Sequence, residues 1–146
     1  TAKPDDDMKP IIPDSSVTVK LINKINEKLL ENANNLLKDA QDNKVNLLAP
    51  ELSRYEIGNA LVKKRLTLDE ASEAISLAHD LPITFVPETE ALAQQTYKIA
   101  QEYKITYYDA SFIALAKQEN ATLVTDNPKH QAKSLEVSVI SLKDYF

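Results

Sequence analysis

Between Ile105 and Asn127 the chain reads Ile-Thr-Tyr-Tyr-Asp-Ala-Ser-Phe-Ile-Ala-Leu-Ala-Lys-Gln-Glu-Asn-Ala-Thr-Leu-Val-Thr-Asp-Asn. Ala110, Ile113, Ala114 and Lys117 recur three and four apart, as do Phe112, Leu115, Ala116 and Glu119. This is a helix that is apolar around most of its circumference, and it belongs at the centre of its fold. Asn120 reads as its left-handed terminator, a role usually given to glycine. Ala121 to Thr125 then forms an apolar, β-prone run ending in Thr-Asp-Asn-Pro. A helix followed by a strand whose carboxyl end carries an acid is how open α/β sheets build ligand sites, because strand ends and helix ends converge on one crevice. Asp109 at the helix start and Asp126 after the strand together point to a cation. Each also has a plainer explanation, Asp109 as an N-cap or first-turn acid on the helix dipole and Asp126 as a turn residue.

The rest of the chain alternates in the same way. Lys9 to Pro13 reads as a short strand ending in Asp14-Ser15-Ser16, although its prolines remove ladder donors, and Val17 to Ile22 is a helical turn or an extension. Ile25, Leu29, Leu30, Ala33, Leu36, Leu37 and Ala40 mark an amphipathic helix that ends near Asp42-Asn43. Val45 to Ala49 is a second strand, and Pro50-Glu51 opens a helix through about Lys64. Thr67-Leu68-Asp69-Glu70 is a capping box for a helix that Pro82 stops, and Ile83 to Val86 is the next strand. A helix starting at Pro87-Glu88-Thr89-Glu90 runs to Tyr103, ahead of the central stretch, a short helix around Pro128 to Ser134 and a last strand from Val137 to Ser141. Strands alternating with helices make this a single α/β domain, with a central, mostly parallel sheet flanked by helices. The domain spans residues 8–146, and residues 1–7, ahead of Met8, read as a remnant or a disordered N-terminus.

Composition removes several function classes. The chain has one glycine, so no glycine loop can bring backbone against a phosphate as nucleotide-binding fingerprints require. Turns fall to asparagines at Asn34, Asn43, Asn120 and Asn127. The single glycine, Gly58, lies in mid-helix, which implies close approach by another backbone, within the fold or across a dimer. Without cysteine there are no disulfides or thiolate metal sites. No apolar run approaches a membrane span and the N-terminus is too polar for a signal peptide, so a cytoplasmic protein is expected. A net charge of -5 argues against a general polyanion binder.

The acids can be sorted by position. Glu51, Asp69, Glu70, Glu88 and Glu90 fall in first turns, where the helix dipole accounts for them. Glu56 sits in mid-helix and reads by itself as a solvated acid. Asp14, directly after the first strand, carries the same two readings as Asp126.

In combination, Asp14-Ser15-Ser16, Ala49-Pro50-Glu51-Leu52 leading to Tyr55-Glu56-Ile57-Gly58-Asn59-Ala60-Leu61, Tyr108-Asp109-Ala110-Ser111-Phe112-Ile113-Ala114-Leu115-Ala116 and Ala121-Thr122-Leu123-Val124-Thr125-Asp126 resemble PIN-domain ribonucleases, especially the VapC-like toxins of prokaryotic toxin-antitoxin pairs. The resemblance runs from about Lys9 to the C-terminus, in order and with similar spacing. It implies metal-dependent RNA cleavage with Asp14, Glu56, Asp109 and Asp126 as catalytic and metal-holding acids, Ser16 and Thr125 as supporting hydroxyls, and Mg²⁺ or Mn²⁺ as cofactor. In the family the strand usually ends Thr, any residue, Asp, whereas here Thr125 is followed by Asp126 and then Asn127, so either Asn127 occupies the acid's place or the turn shifts to bring Asp126 inward. Carboxylate oxygens suit such hard cations, which orient and activate water for phosphodiester hydrolysis. The resemblance also implies an RNA substrate, a homodimer and a small antitoxin partner.

Candidate RNA-binding cations are Lys63-Lys64-Arg65, Lys20, Lys24 and Lys28, and, beside Asp126, Lys129 and Lys133. Lysine at a helix end is also what the dipole favours. His130 has no partner histidine and reads as a surface or packing residue, and Tyr103, Tyr107 and Tyr108 are either core or interface. Two rival readings remain open. A receiver-like phosphate-signalling module also places aspartates at strand ends, but it would want an acidic pair where Asp14 is followed by two serines. A non-catalytic interaction domain that kept the fold and lost its metal would explain the displaced acid at Asp126.

Overall fold

The computed structural model describes residues 8–128 and 137–146. Lys129, His130, Lys133, residues 1–7 and most of the helix expected at 128–134 lie outside the described residues. In chain order the elements are β1 (Lys9–Pro13), α1 (Ser15–Ile22), α2 (Leu30–Gln41), β2 (Val45–Pro50), α3 (Ser53–Lys63), α4 (Leu68–Asp80), β3 (Ile83–Val86), α5 (Glu90–Tyr103), α6 (Tyr107–Glu119), β4 (Thr122–Thr125) and β5 (Val139–Ser141), followed by a 3₁₀ turn at Leu142–Asp144. The five strands form one sheet in the order β3-β2-β1-β4-β5, and every pair is parallel.

Alternate residues of each strand feed opposite faces. Ile12, Leu48 and Leu123 pack with Leu92 and Ile99 of α5 and with Phe112, Ile113 and Leu115 of α6. Ile11, Leu47 and Val124 pack with Val17 of α1 and with Ala33, Leu36 and Ala40 of α2. A smaller cluster joins Val19 and Ile22 of α1 to Ile57 and Leu61 of α3 and Ala74 of α4. The central helix read from the sequence is α6, buried continuously from Ala110 to Ala116. Each large apolar side chain removed from water there contributes ~1.5–3 kcal/mol.

The structure corrects several local expectations. Prolines do sit in a central strand, but near the ends of β1, and the Asp14 N–H takes up the pairing with Val124 O at 3.0 Å. Pro50 does not open a helix: it is the last residue of β2, in register with Val86, and the Glu51 N–H extends the ladder by donating to Val86 O. The helix therefore starts at Ser53, and Glu51 precedes it. The first apolar helix starts at Leu30 rather than near Ile25, because lysine ammonium groups bind the carbonyls of Asn23, Ile25 and Lys28 and hold that segment as a loop. Asn34 lies inside α2, and among the described residues the left-handed positions are Asn26, Leu29, Asn43, Arg65, Lys104 and Asn120, so Asn127 is not one of them. Glu88 precedes the α5 cap, Thr89, and accepts a hydrogen bond from the Tyr107 hydroxyl. A Cβ added to Gly58 meets nothing within 4 Å, so no close backbone approach inside the chain explains that glycine.

Candidate active site

The chain leaves β1 toward β2 and β3 on one side and returns to β4 and β5 on the other, so the sheet order reverses between β1 and β4. The carboxyl ends of strands at such a point open a crevice. Asp14 sits there as the residue after β1 and as the N-cap of α1. One carboxylate oxygen accepts from the Val17 N–H at 3.2 Å and from the Ser16 hydroxyl at 2.5 Å, and the other accepts from the hydroxyl of Thr125 at the end of β4. Asp14 is 8% exposed and Thr125 fully buried. Burial pushes the Asp14 carboxyl above the ordinary aspartate range, opposed by the Ser16 and Thr125 hydroxyls and the Val17 amide.

The second acid comes from α3. With the helix starting at Ser53, Glu56 lies in its first turn rather than in mid-helix. Burial raises its pKa, Ser15 opposes that, the negative charges of Asp109 and Asp14 raise it further, and Lys63 opposes them. Ser15 Oγ itself is buried without a hydrogen-bond partner, so its contact with Glu56 falls short of hydrogen-bond geometry. Asp109 supplies the third carboxylate. The cap of α6 is Thr106, whose hydroxyl accepts from the Asp109 N–H at 3.0 Å, so the Asp109 side chain is not needed as a cap. Its carboxylate makes no hydrogen bond or ion pair with a described residue.

Asp14, Glu56 and Asp109 line one open hollow of about 290 Å³, with Ser15, Ser16, Thr125 and Asn127 from the strand ends and Asn59, Ala60 and Lys63 along α3. Three helix N-termini meet there, and their dipoles offset part of the repulsion among the acids. Asp126 is not in that lining but lies next to it: its carboxylate pairs with Lys20 Nζ at 3.1 Å and lines an adjoining hollow with Glu27 and Lys64 that shares Glu56, Ser15 and Ser16 with the first. Lys20 is 3% exposed, and a buried ammonium requires carboxylate partners; here they are Asp126 and Glu27, with Lys28 O as a further acceptor. That demand draws the Asp126 carboxylate toward α1, while Asn127 lines the hollow of the three acids. Asn59 was not singled out from the sequence and Lys63 only as one of several candidate RNA-binding cations, although they follow Glu56 by three and seven residues and so share its helix face.

The donors are all oxygen or amide, which suits Mg²⁺ or Mn²⁺ and excludes a soft metal. Among the described residues, no three His, Asp or Glu side chains are placed to hold a metal ion directly. Mg²⁺ keeps several waters and is typically held through one or two carboxylates with substrate phosphate, so these residues fit it.

A family model described as the PIN domain matches residues 11–134. The chain belongs to the PIN domain family. Solved structures agree in fold with this PIN domain. VapBC2 from Rickettsia felis, solved bound to a DNA fragment from its promoter, is similar at a TM-score of 0.68 and 19% identity, over 90% of this chain and 98% of that one. The Mycobacterium tuberculosis toxin VapC20, described as cleaving the sarcin-ricin loop, is similar at 0.65 and 17%, over 88% and 98%. A Pyrobaculum aerophilum protein reaches 0.62 and 23%, over 93% and 92%. No curated protein matches the sequence.

Proposed function

We propose that this PIN domain is a divalent-metal-dependent endoribonuclease and the toxin of a toxin-antitoxin pair, acting in the cytoplasm. The observation that carries the reading is the convergence of Asp14, Glu56 and Asp109, from the starts of three different helices, on one hollow where the charges of Asp109 and Asp14 add to burial in raising the proton affinity of Glu56. Packing gains nothing from such a group, and a cation relieves it. Asp14, Glu56 and Asp109 would hold Mg²⁺ or Mn²⁺ in part through the ion's waters, with the Asn127 amide beside them. Such an ion, when bound, polarises water and neutralises charge developing on the phosphate. Asp14 is the fixed member, since both its oxygens are already oriented by Ser16, Val17 and Thr125. Glu56, which makes no hydrogen bond of full geometry with a described residue, is the member free to turn toward the cation or a water beside it. Asp126, held by Lys20 beside Glu56, stands at the edge of the site and is not one of the three acids of this reading.

The partners follow from the family and from the neighbours' descriptions. VapBC2 and a Klebsiella pneumoniae toxin-antitoxin complex share this fold, which supports a small antitoxin as partner. Exposed Tyr55 and Val62 on α3 and Tyr97 on α5 support a homodimer. Among the described residues no helix is long and apolar enough to cross a membrane.

The test is cleavage of single-stranded RNA. Wild type cuts in Mg²⁺ or Mn²⁺ and stops in EDTA, and Asp109→Asn lowers the rate at least about 100-fold, a loss of roughly 2.7 kcal/mol of transition-state stabilisation. Cleavage that ignores EDTA, or Asp109→Asn as active as wild type, contradicts the proposal. A second reading, a PIN-fold binding protein without catalysis, is favoured by the engagement of Asp126 with Lys20. It takes over if wild type is inactive on every RNA and Asn127→Asp creates activity.

A further inference from the structure

An acid-lined hollow repels a polyanion, so an RNA-cleaving site of this kind needs a cation of its own for the substrate backbone. The structure sorts the neighbouring lysines. Lys20 is buried against Glu27, Asp126 and the Lys28 carbonyl. Lys64 is taken up by Glu27 at 3.3 Å, by Ile25 O at 2.6 Å and by Asn23. Both therefore tie the loop between α1 and α2 to the body of the protein and offer little to a ligand. Lys63, the last residue of α3, is exposed, makes no ion pair with a described residue, and is the one cation among the described residues lining the hollow of Asp14, Glu56 and Asp109. The dipole of α3 favours a lysine at its end. It does not require the side chain to stand on the wall of the acidic hollow, two turns along the face that carries Glu56.

We infer that Lys63 is the substrate-phosphate residue of the site, binding the nonbridging oxygens of an RNA phosphate beside the three carboxylates. This deepens the ribonuclease reading and rests on it. A flexible ammonium binds phosphate as a point charge without reading bases, so its contribution is the same for every sequence. Its two electrostatic effects have opposite signs. Lys63 attracts the RNA backbone, and it repels a divalent cation held by Glu56, whose negative charge it partly cancels.

The experiment measures both on the full chain. Binding of a fluorescein-labelled single-stranded RNA 12-mer is followed by anisotropy in Ca²⁺ across a salt series, and Mn²⁺ binding is followed without RNA. Lys63→Ala weakens RNA binding about fivefold or more and makes log K against log salt shallower by about one counterion. Its Mn²⁺ binding is as tight as in wild type or tighter. Lys63→Arg restores RNA affinity to within about twofold, and Lys44→Ala, at the opposite end of the sheet before β2, changes neither quantity. An unchanged salt slope in Lys63→Ala, with wild type binding RNA normally, overturns the inference and leaves the ribonuclease reading standing. Loss of Mn²⁺ binding together with RNA binding overturns it in favour of a structural role. Failure of wild type itself to bind RNA overturns both.

Discussion

The ion pair between Lys20 and Asp126 holds the acid after β4 toward α1, and its strength can be worked out from its surroundings. At 3.1 Å, with Lys20 almost wholly buried and Asp126 about a third exposed, the gross attraction is about 5 kcal/mol at an effective dielectric of roughly 20. Desolvation of the ammonium removes most of that. Asp126→Asn leaves Lys20 with Glu27 at 3.3 Å and the Lys28 carbonyl at 2.8 Å, so the loss is about 1–1.5 kcal/mol. Lys20→Met leaves two carboxylates facing each other, although Glu27 keeps Lys64, and costs about 3 kcal/mol. With Asp126 already neutral, removing Lys20 costs less, so the double variant loses about 1 kcal/mol less than the sum of the singles. Urea unfolding of the four proteins in EDTA measures this coupling. Additivity to within about 0.3 kcal/mol would refute the reasoning, because Asp126 would then be unpaired and free to face the hollow.

Two further outcomes follow from the same geometry. The carboxyls of Glu56 and Asp14 are shifted upward on folding, so in metal-free protein the native state holds protons that the unfolded chain has released; stability therefore falls as pH rises from the ordinary carboxylate range through the raised values, and Glu56→Gln, followed by thermal melts across pH in EDTA, flattens part of that fall, whereas a steeper fall contradicts it. Gly58→Ala fills open space in α3 and stabilises by about 0.5–1 kcal/mol in chemical denaturation; a loss of stability together with a shift from dimer to monomer would show instead that a second copy packs against this position.

The alternation of apolar runs was enough to read the sheet, because the strands are short and apolar and β1, β2 and β3 are each followed by a helix. The cap at Thr67 and the terminator at Asn120 were legible for the same reason: each is a local hydrogen-bonding device written in adjacent residues. What could not be read locally came from tertiary demands. The start of α3 moved from Pro50 to Ser53 because β3 offered Pro50 and Glu51 a ladder, and this changed Glu56 from a mid-helix to a first-turn acid. The loop before α2 depends on ammonium groups from α1 and α3 that bind its carbonyls. Asp126 and Asn127 were left undecided by the sequence because the deciding partner, Lys20, is more than 100 residues away in the chain, buried on a helix that could equally have been an extension. The motif order around Asp14, Glu56 and Asp109 pointed to a joint site, and the structure brings those three onto one hollow.

The central claim is that Asp14, Glu56 and Asp109 act together as a divalent-cation site, and direct Mn²⁺ binding tests it without reference to any RNA. Titration of the wild-type chain, followed by loss of the free Mn²⁺ electron paramagnetic resonance signal, should show saturable binding, with at least about a tenfold weaker affinity in Glu56→Gln, roughly 1.4 kcal/mol, and none resolved in Asp14→Asn/Asp109→Asn. Asp126→Asn should bind within about twofold of wild type, since its charge belongs to Lys20. Binding by Asp14→Asn/Asp109→Asn as tight as wild type would contradict the account.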